Sequence, residues 1–159
     1  MLVDAYCGAG FFAKALLDRF ERVIGIDWDR FAIEVAKKNA TAKETYIAGD
    51  IEAELRSVLE QTRGVEAVAA ATAPSQNLRV GTRATTLLVD PPATGLSAKI
   101  RETIVDLAPS TLIYVSCNPP TLARDLAELQ QKFRIESVTP LDMFPQTAEI
   151  EVVVHLGAQ

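Results

Sequence analysis

The chain has 159 residues, 48% of them hydrophobic and 23% charged, with a formal net charge of −5. No apolar run approaches the roughly 18 residues of a membrane span, and the N-terminus lacks the basic segment, apolar core and small-residue cleavage site of a secretory leader. Two cysteines and one histidine make neither a disulfide framework nor an evident metal site, so a single domain in a reducing, cytoplasmic setting with no metal is expected. Nucleic-acid binders that work alone usually carry a basic balance, because phosphate contacts supply most of their affinity. A nucleic-acid substrate would therefore need a local basic patch or another domain.

Leu2 to Tyr6 reads as a strand, and Cys7-Gly8-Ala9-Gly10 then turns the chain into a helix from Phe11 to Leu17. Glycine at 8 and 10 allows a tight turn and close approach of a ligand to backbone N–H groups, although a plain turn looks the same. Glu21 to Asp27 is a second strand ending in an acid, 17 positions after Gly10. An acid at the tip of the second strand is placed to bind ribose hydroxyls. Asp27 or Asp29 also suits the N-cap of the next helix, Arg30 to Ala40.

Thr45 to Asp50 is the third strand, followed by a helix from Ile51 to about Gln61. Asp50 suits either an adenine amino group or a helix cap. Residues 62–83 have no clear period and read as an irregular insertion. Thr85 to Asp90 is near-continuously apolar, as a buried parallel strand is, and Pro91 and Pro92 then stiffen the backbone beside Asp90. A helix from Ala98 to Leu107 leads to the strand Thr111 to Val115, which runs into Ser116-Cys117-Asn118-Pro119. Cys117 is thus placed at the carboxyl end of a strand, where open α/β sheets bind ligands; the bland reading is a small buried hydrophobe. A helix from Thr121 to Lys132 and strands at Phe133 to Val138 and Glu149 to Val154 complete the chain. Five strand–helix units followed by two strands that can pair as a hairpin predict a mostly parallel sheet with helices on both faces.

In order, Asp4-x-Tyr6-Cys7-Gly8-x-Gly10, Asp27, Asp50 and Asp90-Pro91-Pro92 resemble a Rossmann-like class I methyltransferase dependent on S-adenosylmethionine. More narrowly, Asp90-Pro91-Pro92-x-x-Gly95-Leu96, Ser116-Cys117-Asn118-Pro119 and Asp142-Met143-Phe144-Pro145-x-Thr147-x-x-x-Glu151 are similar to the RNA uracil-C5 methyltransferases, which make 5-methyluridine in tRNA and rRNA. The resemblance implies a seven-stranded sheet with an antiparallel C-terminal strand, RNA as substrate and a monomer. It implies Cys117 as nucleophile and Glu151 as base. Cofactor contacts fall to Asp4, Tyr6, Gly8, Gly10, Asp27, Asp50 and Asp90, and substrate contacts to Asp90, Pro91 and Asn118.

Three departures stand out. Ala93 replaces the family's usual arginine after Asp-Pro-Pro, and Glu149 replaces a histidine two residues before the base. The family's N-terminal RNA-binding domain is not part of this sequence, so an alternative reading is a cofactor-binding domain that needs a further part to act. Ala93 also argues against cytosine-C5 methyltransferases, which commonly place a cysteine there, and against amino-group methyltransferases, which want an aromatic residue. A nicotinamide dehydrogenase would share the glycine turn and Asp27 but leave Cys117 and Glu151 without a role.

Overall fold

The computed structural model describes residues 1–71, 84–143, 145–147 and 150–159, with side chains only as far as Thr62 in the first block. Seven strands form one sheet: β1 (Leu2–Ala5), β2 (Val23–Asp27), β3 (Glu44–Ala48), β4 (Thr86–Val89), β5 (Thr111–Ser116), β6 (Phe133–Leu141) and β7 (Glu151–Ala158). Their spatial order is β3-β2-β1-β4-β5-β7-β6. The first five are mutually parallel, and β7 inserts antiparallel between β5 and β6. The sheet is therefore the expected one, with the last two strands paired as the expected hairpin.

Every residue of β1 and β2 is buried, which requires cover on both faces. On one face α1 (Phe11–Ala15) and α2 (Arg30–Lys38) contribute Ala13, Ile33 and Ala36 to a core with Leu2, Val23, Tyr46 and Leu88. On the other, α3 (Ile51–Ala71), α4 (Ala98–Leu107) and α5 (Pro119–Leu129) pack Leu55, Ile104, Leu122 and Leu129 against Val3, Leu87 and Leu112. The two-residue side-chain period of a strand explains why neighbours such as Leu2 and Val3 join different cores.

Several boundaries differ from the sequence reading. The helix expected to stop near Gln61 continues to Ala71, through alanine-rich residues whose high helix propensity is not interrupted by proline. The rest of the expected insertion, 72–83, lies outside the described residues, as do Phe144 and Glu149. The first helix ends at Ala15 and gives way to a 3-10 turn, Leu17–Arg19. α5 starts at Pro119, two residues earlier than expected, because proline at the first helical positions needs no N–H partner. β7 extends to Ala158, where it closes the ladder with Phe133.

Candidate active site

The loops after β1, β2, β4 and β5 all leave the same edge of the sheet, and the antiparallel β7 brings its first residue to that edge. In the β5–β7 ladder Val115 faces Val153 and Ser116 faces Val152, so the next residues outward are Cys117 and Glu151. Val115, Val153 and Glu151 line a cleft of about 510 Å³ with Asp90, Tyr6, Gly8, Phe11 and Met143. Cys117 is exposed beside this cleft rather than part of its wall. That overturns the bland expectation of a buried thiol; the buried one is Cys7. Burial, followed by the nearby Asp4 and Asp27 carboxylates, pushes the Cys7 thiol far up and leaves it inert.

Asp90 is half-buried at the carboxyl end of β4. Burial, reinforced by the charge of Glu151, pushes its carboxyl up to about 6. Pro91 is buried behind it, and Pro92 is exposed on a second hollow of about 290 Å³. That hollow is walled by Trp28, Asp50, Ile51 and Pro92, and Tyr6 lines both spaces. Tyr6 holds a positive φ of 68°, uncommon for a residue with a side chain, and the N–H groups of Tyr6 and Cys7 both donate to Ile26 O. Trp28 on the second hollow and Phe11 on the cleft, each 76% exposed, were not singled out by sequence reasoning and are apolar surfaces facing these spaces.

The glycine turn is built differently from the expectation of free N–H donors. Gly8 N–H donates to Asp27 Oδ2 at 2.7 Å, and Gly10 N–H donates to Cys7 O at 2.8 Å. Asp27 Oδ1 accepts from Asp29 N–H at 2.8 Å, so this acid fastens the glycine turn to the tip of β2. Asp29 caps α2, accepting from Phe31 and Ala32 N–H, which settles which acid is the cap. Asp50 Oδ1 accepts from Glu52 and Ala53 N–H at the start of α3; it is a cap that also borders the second hollow.

Asp4 is fully buried. Its Oδ2 accepts from Ala13 N–H at 3.0 Å, while Oδ1 has no partner among the described residues. Burial raises its pKa to about 7, opposed by the Ala13 bond and reinforced by Asp90 and Asp27. Its direct structural job is to anchor α1.

The residues present fit a cofactor laid across this edge. Gly8, at φ 53°, has nothing within 4 Å of where a Cβ would stand, so the turn opens onto space beside the cleft it lines. By contrast, a Cβ on Gly10 would stand 2.7 Å from the Tyr46 hydroxyl, so that glycine serves packing.

Asn118 is the N-cap residue of α5 without a side-chain cap bond. Its N–H donates to Ser116 Oγ at 3.1 Å, which leaves its amide side chain uncommitted to the turn.

A sheet of this order, with its ligand-sized spaces at the carboxyl ends of the parallel strands, is a Rossmann-like class I methyltransferase fold. The fold is shared with the N-methyltransferase NodS of Bradyrhizobium japonicum, which superposes with a TM-score of 0.64 over 99% of this chain and 85% of that one at 14% identity. The model of the tRNA (Uracil-5-)-methyltransferase family matches residues 1–159, and the chain belongs to that family. An uncharacterized RNA methyltransferase of Listeria monocytogenes is 37% identical over 98% of the chain, and one of Streptococcus agalactiae is 38% identical over 98%. The tRNA (uracil-54, C5)-methyltransferase of Pyrococcus abyssi, solved with S-adenosyl-L-homocysteine, matches with a TM-score of 0.70 and 29% identity over 98% of the chain. The chain spans 30–33% of the length of these three relatives. Among the described residues no helix is long and apolar enough to cross a membrane.

Proposed function

We propose that this chain is the catalytic domain of an S-adenosylmethionine-dependent methyltransferase acting on C5 of a uridine in tRNA or rRNA, through a covalent bond between Cys117 and C6. The observation that carries this reading is the ladder register, whose last pair is Ser116 and Val152, so that an exposed thiol and a cleft-lining carboxylate each lie one residue beyond it at the same end of the sheet.

Trp28, Asp50 and Pro92, which wall the second hollow, would hold the cofactor's adenosine, Asp27 its ribose, and Tyr6 and Gly8 its methionine end. When bound, S-adenosylmethionine would supply the methyl group as an electrophile, the broken S–CH3 bond leaving the neutral thioether S-adenosylhomocysteine. Uracil C5 is too weak a nucleophile to take it unaided. The Cys117 thiolate adds to C6, and the displaced electron pair moves onto O4, which makes C5 enolate-like and able to accept the methyl. Glu151 then takes the C5 proton; the pair left behind restores the C5–C6 double bond and expels the thiolate. Asp90, Pro91 and Asn118 border the uracil. The base must leave its stack to reach this site, and with a net charge of −5 the domain binds RNA weakly by itself, as a monomer. The setting is cytoplasmic.

The test is Cys117→Ala, which should abolish methyl transfer and leave cofactor affinity intact; transfer surviving in that variant would remove the covalent mechanism. A second reading, a cofactor-binding domain that catalyses only within a longer chain, is favoured by the 30–33% coverage of the relatives. Turnover by the 159-residue chain on uridine-containing RNA would overturn it.

A further inference from the structure

The Asp90 loop and the Cys117 loop belong to different strands, yet both are tied to one helix. Thr121 Oγ1, in the first turn of α5, lies 3.0 Å from the Ala93 carbonyl oxygen and 3.0 Å from the Asn118 carbonyl oxygen. Ala93 ends the run Asp90-Pro91-Pro92-Ala93, and Asn118 follows Cys117. One turn further along, Asp125 is fully buried. Its Oδ2 accepts from Leu96 N–H at 2.8 Å and from the Tyr114 hydroxyl of β5 at 2.7 Å. Arg124 donates to Thr94 O at 2.9 Å and to Asp125 Oδ1 at 2.7 Å. Arg101 of α4 donates to Asp125 Oδ1 and holds Glu128 through two nitrogens.

The loop lies so close to α5 that a Cβ on Gly95 would meet Asp125 Oδ2 at 2.6 Å and Arg124 Nη2 at 2.7 Å, and Gly95 itself holds a φ of 73°. Buried charge of this kind is costly unless fully paired; here each oxygen of Asp125 has partners.

We propose that α5 is a brace that holds the Asp90 loop and the Cys117 loop in fixed relation, with Thr121 and Asp125 as its positioning residues. The inference rests on the reading that Cys117 attacks a base bordered by Asp90. Displacement of about 1 Å between two such groups is enough to cost a reaction about a hundredfold, so a hydroxyl touching neither substrate nor cofactor still governs the rate. Ala93 contributes through its carbonyl, a contact that any side chain at this position would allow.

The test compares Thr121→Val, which keeps the side-chain shape and removes the hydroxyl, with Thr121→Ser, which restores it. Amide hydrogen exchange is read at Gly95 and Asn118, alongside S-adenosylhomocysteine affinity and the rate of covalent adduct formation on RNA containing 5-fluorouridine. Thr121→Val should speed exchange at both amides together by about fivefold, the worth of one ordinary hydrogen bond. It should slow adduct formation by a larger factor than it weakens S-adenosylhomocysteine binding, since Pro92 of the loosened loop also borders the second hollow, and Thr121→Ser should recover both. Exchange unchanged at either amide, or an adduct rate unaffected by the loosened loops, would overturn the brace. Absence of any adduct with the unsubstituted chain would instead strike the Cys117 reading, and the exchange data would still decide whether the loops are tied. Asp125→Asn is the harsher variant and should loosen Leu96 and the end of β5 together.

Discussion

Asp90 and Glu151 face one cleft although β5 runs between their strands, because antiparallel β7 presents its first residue where β4 presents its last. Burial first and the charge of Glu151 second hold the Asp90 carboxyl up to about 6. Glu151→Gln should therefore lower the Asp90 pKa without returning it to the ordinary carboxylate range, since burial remains. Carboxyl carbon shifts followed by NMR from pH 3 to 8 check this; an unmoved Asp90 titration would show that the two groups do not interact.

Asp4 and Asp90 both bind protons more tightly in the folded chain than in the unfolded one, with folded values of about 7 and about 6 against an ordinary 3.8. Between roughly pH 4 and 7 the folded state thus holds the extra protons, and stability falls as pH rises through that window. Glu44 acts oppositely and lower down. Despite the opposing effect of its own burial, hydrogen bonds from Lys14, Thr41 and Tyr46 bring it to about 2. Its contribution is present above about 4.5 and lost on acidification towards 2. Urea unfolding at pH 5 and pH 8 should show greater stability at pH 5, and Asp4→Asn should flatten the difference. Equal or greater stability at pH 8 in the unsubstituted chain would contradict the burial of neutral Asp4.

Gly25 sits in the middle of β2 for reasons of space. A Cβ there would stand 2.5 Å from Tyr46 Cδ1 and 2.9 Å from Cys7 Sγ. Tyr46 cannot swing away freely, because its hydroxyl donates to Glu44 Oε1 at 2.8 Å. Gly25→Ala should destabilise the chain by about 1–3 kcal/mol through overpacking, measured by thermal unfolding, and should also shift the Tyr46 ring signals.

Trp28 is the only tryptophan in the chain, so its fluorescence reports on the hollow it borders. Binding of S-adenosylhomocysteine should quench it, and Trp28→Ala should weaken that binding about tenfold, within the ~1–3 kcal/mol of a base stacked on an aromatic ring. Fluorescence indifferent to a ligand that calorimetry shows to bind would place the adenine elsewhere.

The alternation of apolar strands with amphipathic helices was enough to read a mostly parallel sheet from the sequence, and the acids at strand tips lie along the edge where the cleft and the second hollow open. What those acids touch was less legible. Asp27 and Asp50 look like ligand contacts in a linear sequence, but each first satisfies backbone N–H groups that the fold leaves bare. Asp4 reads as a cofactor acid and is buried against α1. The Asp125 cluster was invisible because its partners Leu96, Arg101 and Tyr114 lie 11 to 29 residues away, and no local period records such a meeting. That Cys117 and Glu151 each lie one residue beyond the last β5–β7 pair at the same end of the sheet likewise depends on a strand register, which the motif order alone does not fix.

In the proposed reaction Cys117 bonds to uracil C6 and a carboxylate removes the C5 proton. Fluorine at C5 cannot be taken by a base, so RNA containing 5-fluorouridine, incubated with the chain and S-adenosylmethionine, should become trapped. Peptide mapping by mass spectrometry should find the adduct on Cys117 and none in Cys117→Ala. An adduct on another residue, or methylation of ordinary uridine by Cys117→Ala, would contradict the account.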